Sequence, residues 1–88
     1  GGLRAPGESV ILSCRGSGFH FYSYDIWRYR QAPGGSLEWV SIISPDSSLN
    51  KSGSAMQGRA LLSRDNSRSE SSLSLWALDR LDSARYFC

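Results

Sequence analysis

The sequence has little of what catalysis and metal binding use, with one histidine, His20, and two cysteines, Cys14 and Cys88, among 88 residues. His20 falls in a segment that we expect to be a loop, and no cysteine or carboxylate stands around it in the spacing of a nucleophile or metal site. A lone loop histidine is typical of polar surface. We therefore expect no enzyme, no cofactor and no bound metal.

Long apolar runs and runs of charge of one sign are also missing. No stretch is apolar over the roughly 20 residues that a membrane-spanning helix needs, and the first residues lack the pattern of a signal peptide. The net charge of +2 comes from 10 basic and 8 acidic residues spread along the chain. Binders of nucleic acid or membrane surfaces cluster Lys and Arg instead, so we expect no nucleic-acid partner and no membrane insertion.

Turn-forming residues recur at short intervals and divide the chain into short β-rich runs, a pattern typical of an antiparallel all-β domain. In residues 9–14 the even positions Val10, Leu12 and Cys14 share one face of a strand, which we expect to point into the core. A helix over residues 73–81 is an alternative, but that run is short, and we predict a strand followed by one helical turn near residues 79–83. The other predicted strands are a hairpin of residues 27–31 and 37–43, a hairpin of residues 60–64 and 71–75, and a last strand at residues 84–88.

The two cysteines leave their oxidation state open. A disulfide between Cys14 and Cys88 would close most of the chain into one loop, which a simple entropy model values at about 4–5 kcal/mol. Such support would matter, because a domain of this size buries only about 60–65% of its unfolded surface. Two reduced and buried thiols are the alternative at this point.

A series of short motifs connects the whole chain to a known family. In order and without gaps, they resemble the immunoglobulin V-type domain, and within it the antibody heavy chain. They are Gly1-Gly2-Leu3, Pro6-Gly7, Leu12-Ser13-Cys14, Ser17-Gly18-Phe19, Arg30-Gln31-Ala32-Pro33-Gly34, Leu37-Glu38-Trp39-Val40-Ser41, Gly58-Arg59, Ser63-Arg64-Asp65-Asn66-Ser67, Asp82-Ser83-Ala84 and Tyr86-Phe87-Cys88.

The resemblance implies an all-β fold, the immunoglobulin V-type antiparallel β-sandwich with one inter-sheet disulfide joining Cys14 and Cys88. It also implies an oxidising, extracellular location, either secreted or at the cell surface as a B-cell receptor. By the same comparison residues 1–88 form a single variable domain that lacks the family's first strand, third hypervariable loop and last strand.

Two framework features follow from the resemblance. Tyr86 matches the tyrosine corner, whose hydroxyl bonds to nearby backbone; an ordinary half-buried strand tyrosine is the alternative. Arg59 and Asp82 match an ion pair that bridges the base of the sandwich, with two unpaired surface charges as the alternative. At the surface such a pair would contribute only about 0–1 kcal/mol.

The resemblance also implies a partner, the antibody light chain. An exposed Leu37 and Trp39 would form an apolar patch of the kind that marks interfaces, and camel-type single-domain antibodies replace both residues. Tyr29 resembles the single-domain type, so a light-chain-free binder is an alternative, as is a V-type domain of a T-cell receptor or adhesion protein. The positions that match the light-chain interface are Tyr29, Gln31, Leu37, Trp39 and Phe87.

By resemblance, two hypervariable segments, about residues 19–27 and 42–51, bind a protein or glycoprotein antigen. Tyrosine gives rigid amphipathic area and serine gives adaptable hydrogen bonds, although each residue could equally be a solvated loop residue. The candidate antigen contacts are His20, Tyr22, Ser23, Tyr24 and Asp25 in the first segment and Ser44, Pro45, Asp46, Ser47, Ser48 and Asn50 in the second.

Two further patterns bear on the antigen surface. Asn50-Lys51-Ser52 is a sequon for N-glycosylation, with an unmodified asparagine as the alternative. Ala60, Ser71 and Trp76 depart from the family's usual framework residues, which suggests extensive somatic mutation. Heavy mutation is typical of selection against a persistent antigen, so a viral surface glycoprotein is one candidate target.

The largest departure from the family lies in the strand after the first hypervariable segment. The family packs a tryptophan on the disulfide there, but this chain has Arg28 at that position and Trp27 one residue earlier. Either Arg28 enters the core or a bulge turns Trp27 inward. Because an unpaired buried guanidinium costs several kcal/mol, we expect the bulge.

Overall fold

The computed structural model describes residues 6–16 and 20–88, which fold largely into antiparallel strands. Four single turns of 3-10 helix connect these strands, at Phe21–Ser23, Ser54–Met56, Asn66–Arg68 and Arg80–Asp82. None of the helical segments in these ranges has the length and apolar character needed to cross a membrane. The strands are β1 Val10–Arg15, β2 Ile26–Gln31, β3 Leu37–Ile43, β4 Asn50–Ser52, β5 Ala60–Asp65, β6 Glu70–Leu75 and β7 Arg85–Phe87.

The strands form two antiparallel sheets joined by a disulfide. One sheet has the order β1-β6-β5 and the other the order β4-β3-β2-β7. Cys14 lies on β1 and Cys88 directly follows β7, and the two residues are disulfide-bonded with their Cα atoms 6.2 Å apart. The chain is therefore an immunoglobulin-like antiparallel β-sandwich with one inter-sheet disulfide, which confirms the predicted fold class and bridge.

The core fills the space between the two sheets. On β1, exposed residues alternate with half-buried ones, and on β6 half-buried residues alternate with fully buried ones. This alternation follows from the period of two in a strand, which sends successive side chains to opposite faces. The buried cluster consists of Phe21, Ile26, Val40, Ile43, Met56, Leu62, Leu73, Leu75 and Leu78, with Val10, Leu12 and Cys14 packed against it.

The predicted strands are confirmed, and one strand was missed. The two hairpins are β2–β3 and β5–β6, and the helical turn lies at Arg80–Asp82. The missed strand is β4, which pairs Asn50 with Ile43 and Ser52 with Ser41. Its three residues are polar and too short to show an alternating pattern, so it forms only because β3 offers it a free edge.

The expected inward turn of Trp27 is wrong. The Trp27 side chain is 48% exposed, whereas Arg28 is 4% exposed and lies between the sheets. The strand pairing does contain an irregularity, but it follows Arg28: that residue pairs with Ser41 and Tyr29 pairs with Trp39, leaving one extra residue on β3. Side chains along β2 therefore still alternate between its two faces. Because Trp27 and Arg28 are neighbours on this strand, Arg28 points into the core and Trp27 points outward.

A small buried residue on β6 accommodates Arg28. Ser71 is fully buried, and it offers room and oxygen atoms. Arg28 Nη2 donates to the Ser71 carbonyl at 3.0 Å and lies 3.4 Å from the Ser71 hydroxyl. Arg28 Nε has no partner among the described residues. Burial lowers the pKa of Arg28 to about 10, so the side chain remains a cation at neutral pH.

The ion pair at the base of the sandwich forms and is larger than the sequence indicated. Arg59 donates to both carboxylate oxygens of Asp82, at 2.8 and 3.0 Å, and Arg30 donates to the same carboxylate at 2.9 Å. The Tyr86 hydroxyl donates to the Asp82 carbonyl at 2.8 Å, which confirms the tyrosine corner. The hydrogen bonds from Arg59 hold the pKa of the buried Asp82 well below its usual range.

Candidate functional site

The first loop lies between β1 and β2 and is anchored by one aromatic side chain. Phe21 is buried in the core cluster, while Tyr22 and Tyr24 on either side of Ser23 are exposed. The Tyr22 hydroxyl and His20 Nδ1 are 3.1 Å apart, and the two rings meet edge to face at 5.5 Å. The described part of this loop, residues 20–25, therefore presents two tyrosines and a histidine around the buried Phe21.

The second loop, between β3 and β4, is organised around Asp46. Its carboxylate accepts hydrogen bonds from the Ser48 hydroxyl at 2.7 Å, the Ser48 amide at 3.0 Å and the Ser44 hydroxyl at 3.0 Å. These hydrogen bonds, chiefly those from Ser48, lower the pKa of Asp46 to about 2. Ser47 sits at the tip with φ of 64°, a left-handed conformation that non-glycine residues adopt mainly in tight turns. The tip is thus a compact turn that carries a permanent negative charge.

Arg64 on β5 ties the two loops together. Its guanidinium donates to the Phe21 carbonyl at 2.9 Å, the Tyr24 carbonyl at 2.9 Å and the Ile43 carbonyl at 3.1 Å. It also lies 4.7 Å above the centre of the Phe21 ring, within the range of a cation–π contact. One side chain therefore fixes the first loop against the start of the second.

Asn66 extends this link to the far side of the second loop. Arg64 Nε donates to Asn66 Oδ1 at 2.8 Å, and Asn66 Nδ2 donates to the Pro45 carbonyl at 2.8 Å. Arg64 and Asn66 lie in one of the family-like motifs, but this link between the loops was not predicted from the sequence. The available signal was the polar character of that motif directly after a strand with a buried face. The two loops and this pair form one continuous rim at one end of the sandwich.

The predicted loop residues fall into two groups in the structure. Ser44 and Pro45 serve the loop itself: Ser44 is buried and its hydroxyl accepts the Leu49 amide at 3.0 Å, and Pro45 is half-buried. Those exposed on the rim are His20, Tyr22, Ser23, Tyr24, Asp25, Asp46, Ser47 and Ser48, and Asn50 is exposed beside the rim as the first residue of β4.

The predicted partner residues share one face, the outer surface of the four-stranded sheet. Trp39, Tyr29 and Phe87 form a row across β3, β2 and β7, and Gln31 pairs with Leu37 in the next row. All but the half-buried Tyr29 are exposed. We call these five residues together with Trp27 the outer patch. Trp27 was not predicted on this face, and it extends the patch toward the rim because it lies two residues before Tyr29 on the same strand.

No three His, Cys, Asp or Glu side chains within residues 6–16 and 20–88 come close enough to hold an ion.

No protein-family model matches the chain. Its likeness to immunoglobulin domains rests on the two sheets, the disulfide, the tyrosine corner and the ion pair at the base.

Proposed function

We propose that the chain is the variable part of an antibody heavy chain, secreted or held at the cell surface, which binds antigen through the rim and a light chain through the outer patch. The observation that carries this proposal is the presence of two distinct surfaces. The rim is polar and built from loops, whereas the outer patch is apolar, built from strands and set next to it. A binding module with a permanent partner needs both kinds of surface.

The rim has the chemistry of a protein-binding surface. Tyr22 and Tyr24 offer exposed aromatic area that loses little conformational entropy on binding, and the surrounding serines offer adaptable hydrogen bonds. Asp46 adds a negative charge that stays ionised at every physiological pH because its pKa is about 2. We expect the antigen to be a protein or glycoprotein, and viral surface glycoproteins are the first class to screen.

The outer patch has the chemistry of a partner interface. It sets three aromatic side chains in one row, with a fourth, Trp27, beside them, and aromatic residues are enriched at interface cores. The Trp39 ring is held in place because its indole N–H donates to the Ser41 carbonyl at 3.0 Å. A fixed ring binds a partner at a smaller entropic cost than a mobile one. We infer that a light-chain variable domain covers this patch.

Co-expression with a light chain tests the pairing. Size-exclusion chromatography with light scattering should give a one-to-one complex. Leu37→Arg should abolish it by placing a charge in the patch. The matched control is Leu61→Arg on the outer face of the three-stranded sheet, where Leu61 is 64% exposed against 58% for Leu37, and it should leave the complex intact.

The other results discriminate among the alternatives. A soluble chain that stays monomeric in the presence of light chains would contradict the pairing and favour a light-chain-free binder. Equal loss of the complex in both variants would mean that the patch has no special role. For the rim, Tyr22→Ala or Tyr24→Ala should weaken binding to a captured antigen by more than about 1 kcal/mol, with the complex unchanged.

A further inference from the structure

We propose that Asn50 carries an N-linked glycan whose first sugar lies in a groove between β4 and β5. The sequon Asn50-Lys51-Ser52 coincides with β4, which lies at the edge of its sheet. Asn50 is exposed, and an edge strand leaves the neighbouring volume open. The disulfide of Cys14 and Cys88 forms under oxidising conditions, which are those of the compartment in which N-glycans are added.

The asparagine amide is held against β5 beside the groove. Asn50 Nδ2 donates to the Leu62 carbonyl on β5 at 3.2 Å, so the side chain points from β4 toward β5. A primary amide has two N–H bonds. Glycosylation replaces one of them, and the remaining N–H is able to keep the bond to Leu62. The fold therefore tolerates the modification without loss of this contact.

The covalent step needs a co-reactant of the lipid-diphosphate oligosaccharide class. The Asn50 Nδ2 atom forms a bond to the anomeric carbon of the first sugar, and the bond from that carbon to the diphosphate oxygen breaks. Nδ2 gives up one proton, and the lipid diphosphate leaves with the electron pair. No oxidant or reductant takes part.

The groove beside Asn50 has walls suited to a sugar. It is open to solvent, has a volume of about 630 Å³ and is lined in part by Trp39, Lys51, Gln57 and Ala60. The Trp39 ring reaches it over Gly53, where an added Cβ would lie 3.6 Å from the ring and 2.9 Å from the Trp39 carbonyl. Aromatic rings pack against the C–H faces of sugars, and Lys51 and Gln57 offer hydrogen-bonding groups.

In this position the glycan would limit the surface that a partner can cover. Trp39 belongs both to this groove and to the outer patch, so a sugar packed against Trp39 would form the β4 edge of the partner-facing surface. Asn50 also lies one residue after the second loop, next to the rim. This part of the inference depends on the proposed function, whereas occupancy of Asn50 does not.

Intact-mass analysis of the chain secreted from mammalian cells tests occupancy. The wild-type protein should carry the mass of an N-glycan, and peptide N-glycosidase should remove it and convert Asn50 to aspartate. Asn50→Gln should lack the glycan. Ser52→Ala is the matched control, because it removes the sequon but keeps Asn50 and its bond to Leu62, and it should lack the glycan as well.

Two results would overturn the inference. Secreted, disulfide-bonded wild-type protein with an unmodified mass would exclude the glycan. Release of the glycan at equal rates from folded and from reduced, denatured protein would exclude its seat in the groove, where we expect slower release from the folded state. Both readouts need only the wild-type chain, so they stand if a variant fails to fold. Neither involves a light chain or an antigen, so failure of the proposed function is a separate outcome.

Discussion

Replacing Arg28 with leucine should make the protein more stable. Burial lowers the pKa of this guanidinium from its ordinary value to about 10, which corresponds to about 3 kcal/mol against the folded state at neutral pH. The hydrogen bonding to Ser71 returns about 1 kcal/mol. Arg28→Leu removes both contributions and leaves a side chain that packs between the sheets, so we expect a gain of about 2 kcal/mol.

Urea unfolding followed by far-ultraviolet circular dichroism measures this gain. For a domain of this size it corresponds to a rise in Tm of roughly 8–16 °C. The control is Arg68→Leu, because the Arg68 side chain is 76% exposed and its loss should change stability by less than about 0.5 kcal/mol.

The pH dependence gives an independent check with a defined sign. The pKa of Arg28 is lower in the folded state than in the unfolded state, so the unfolded chain binds more protons from about pH 10 upward to the unfolded-state pKa. Burial of the cation destabilises the folded state, and this cost should shrink as the pH rises through that window. The advantage of Arg28→Leu should shrink with it. A variant that is less stable than wild type by 1 kcal/mol or more at neutral pH would refute this reasoning, because it would mean that Arg28 stabilises the core.

Three other substitutions or measurements probe the remaining contacts. Asp82→Asn should cost about 3 kcal/mol, because it removes the buried carboxylate that Arg30 and Arg59 share, although Arg30 keeps its ion pair with Glu38. Since the pKa of Asp82 is depressed in the folded state, its contribution should be full at neutral pH, begin to fall below about pH 4, and be lost only as the pH approaches the folded-state pKa. Arg64→Leu should weaken antigen binding at least tenfold and increase hydrogen exchange in both loops, while the complex with a light chain persists. Acrylamide should quench the native fluorescence strongly because Trp27, Trp39 and Trp76 are 48%, 37% and 42% exposed, and a weakly quenched component that Trp27→Phe removes would place Trp27 in the core.

The positions of the strands other than β4 could be predicted because each of those strands carries a local signal. The inward Val10, Leu12 and Cys14 alternate with exposed residues, and the polar turn at Asn66–Arg68 separates two runs that pair along their whole length. The bridge between Cys14 and Cys88 needed the family resemblance, because two cysteines alone do not specify their pairing. β4 carried no signal of its own and depends on the edge that β3 provides.

The orientation of Arg28 could not be predicted because it depends on a distant residue. When β2 is considered alone, the cost of burying a guanidinium predicts that Arg28 is exposed. Only the fold brings Ser71, 43 positions away, to supply oxygen atoms for the guanidinium. The same holds for Arg64, whose bonds to Phe21 and Ile43 span 43 and 21 positions. Contacts of this kind join residues that lie far apart in the sequence, so no local pattern predicts them.

Oxidative footprinting of the chain with and without a light chain tests most directly that a partner covers the outer patch and leaves the rim free. Hydroxyl radicals label exposed aromatic side chains, so both surfaces are read in one experiment. Trp27, Trp39 and Phe87 should lose most of their labelling in the complex, while Tyr22 and Tyr24 keep theirs. Unchanged labelling of the patch, or protection of the two tyrosines in its place, would contradict this assignment.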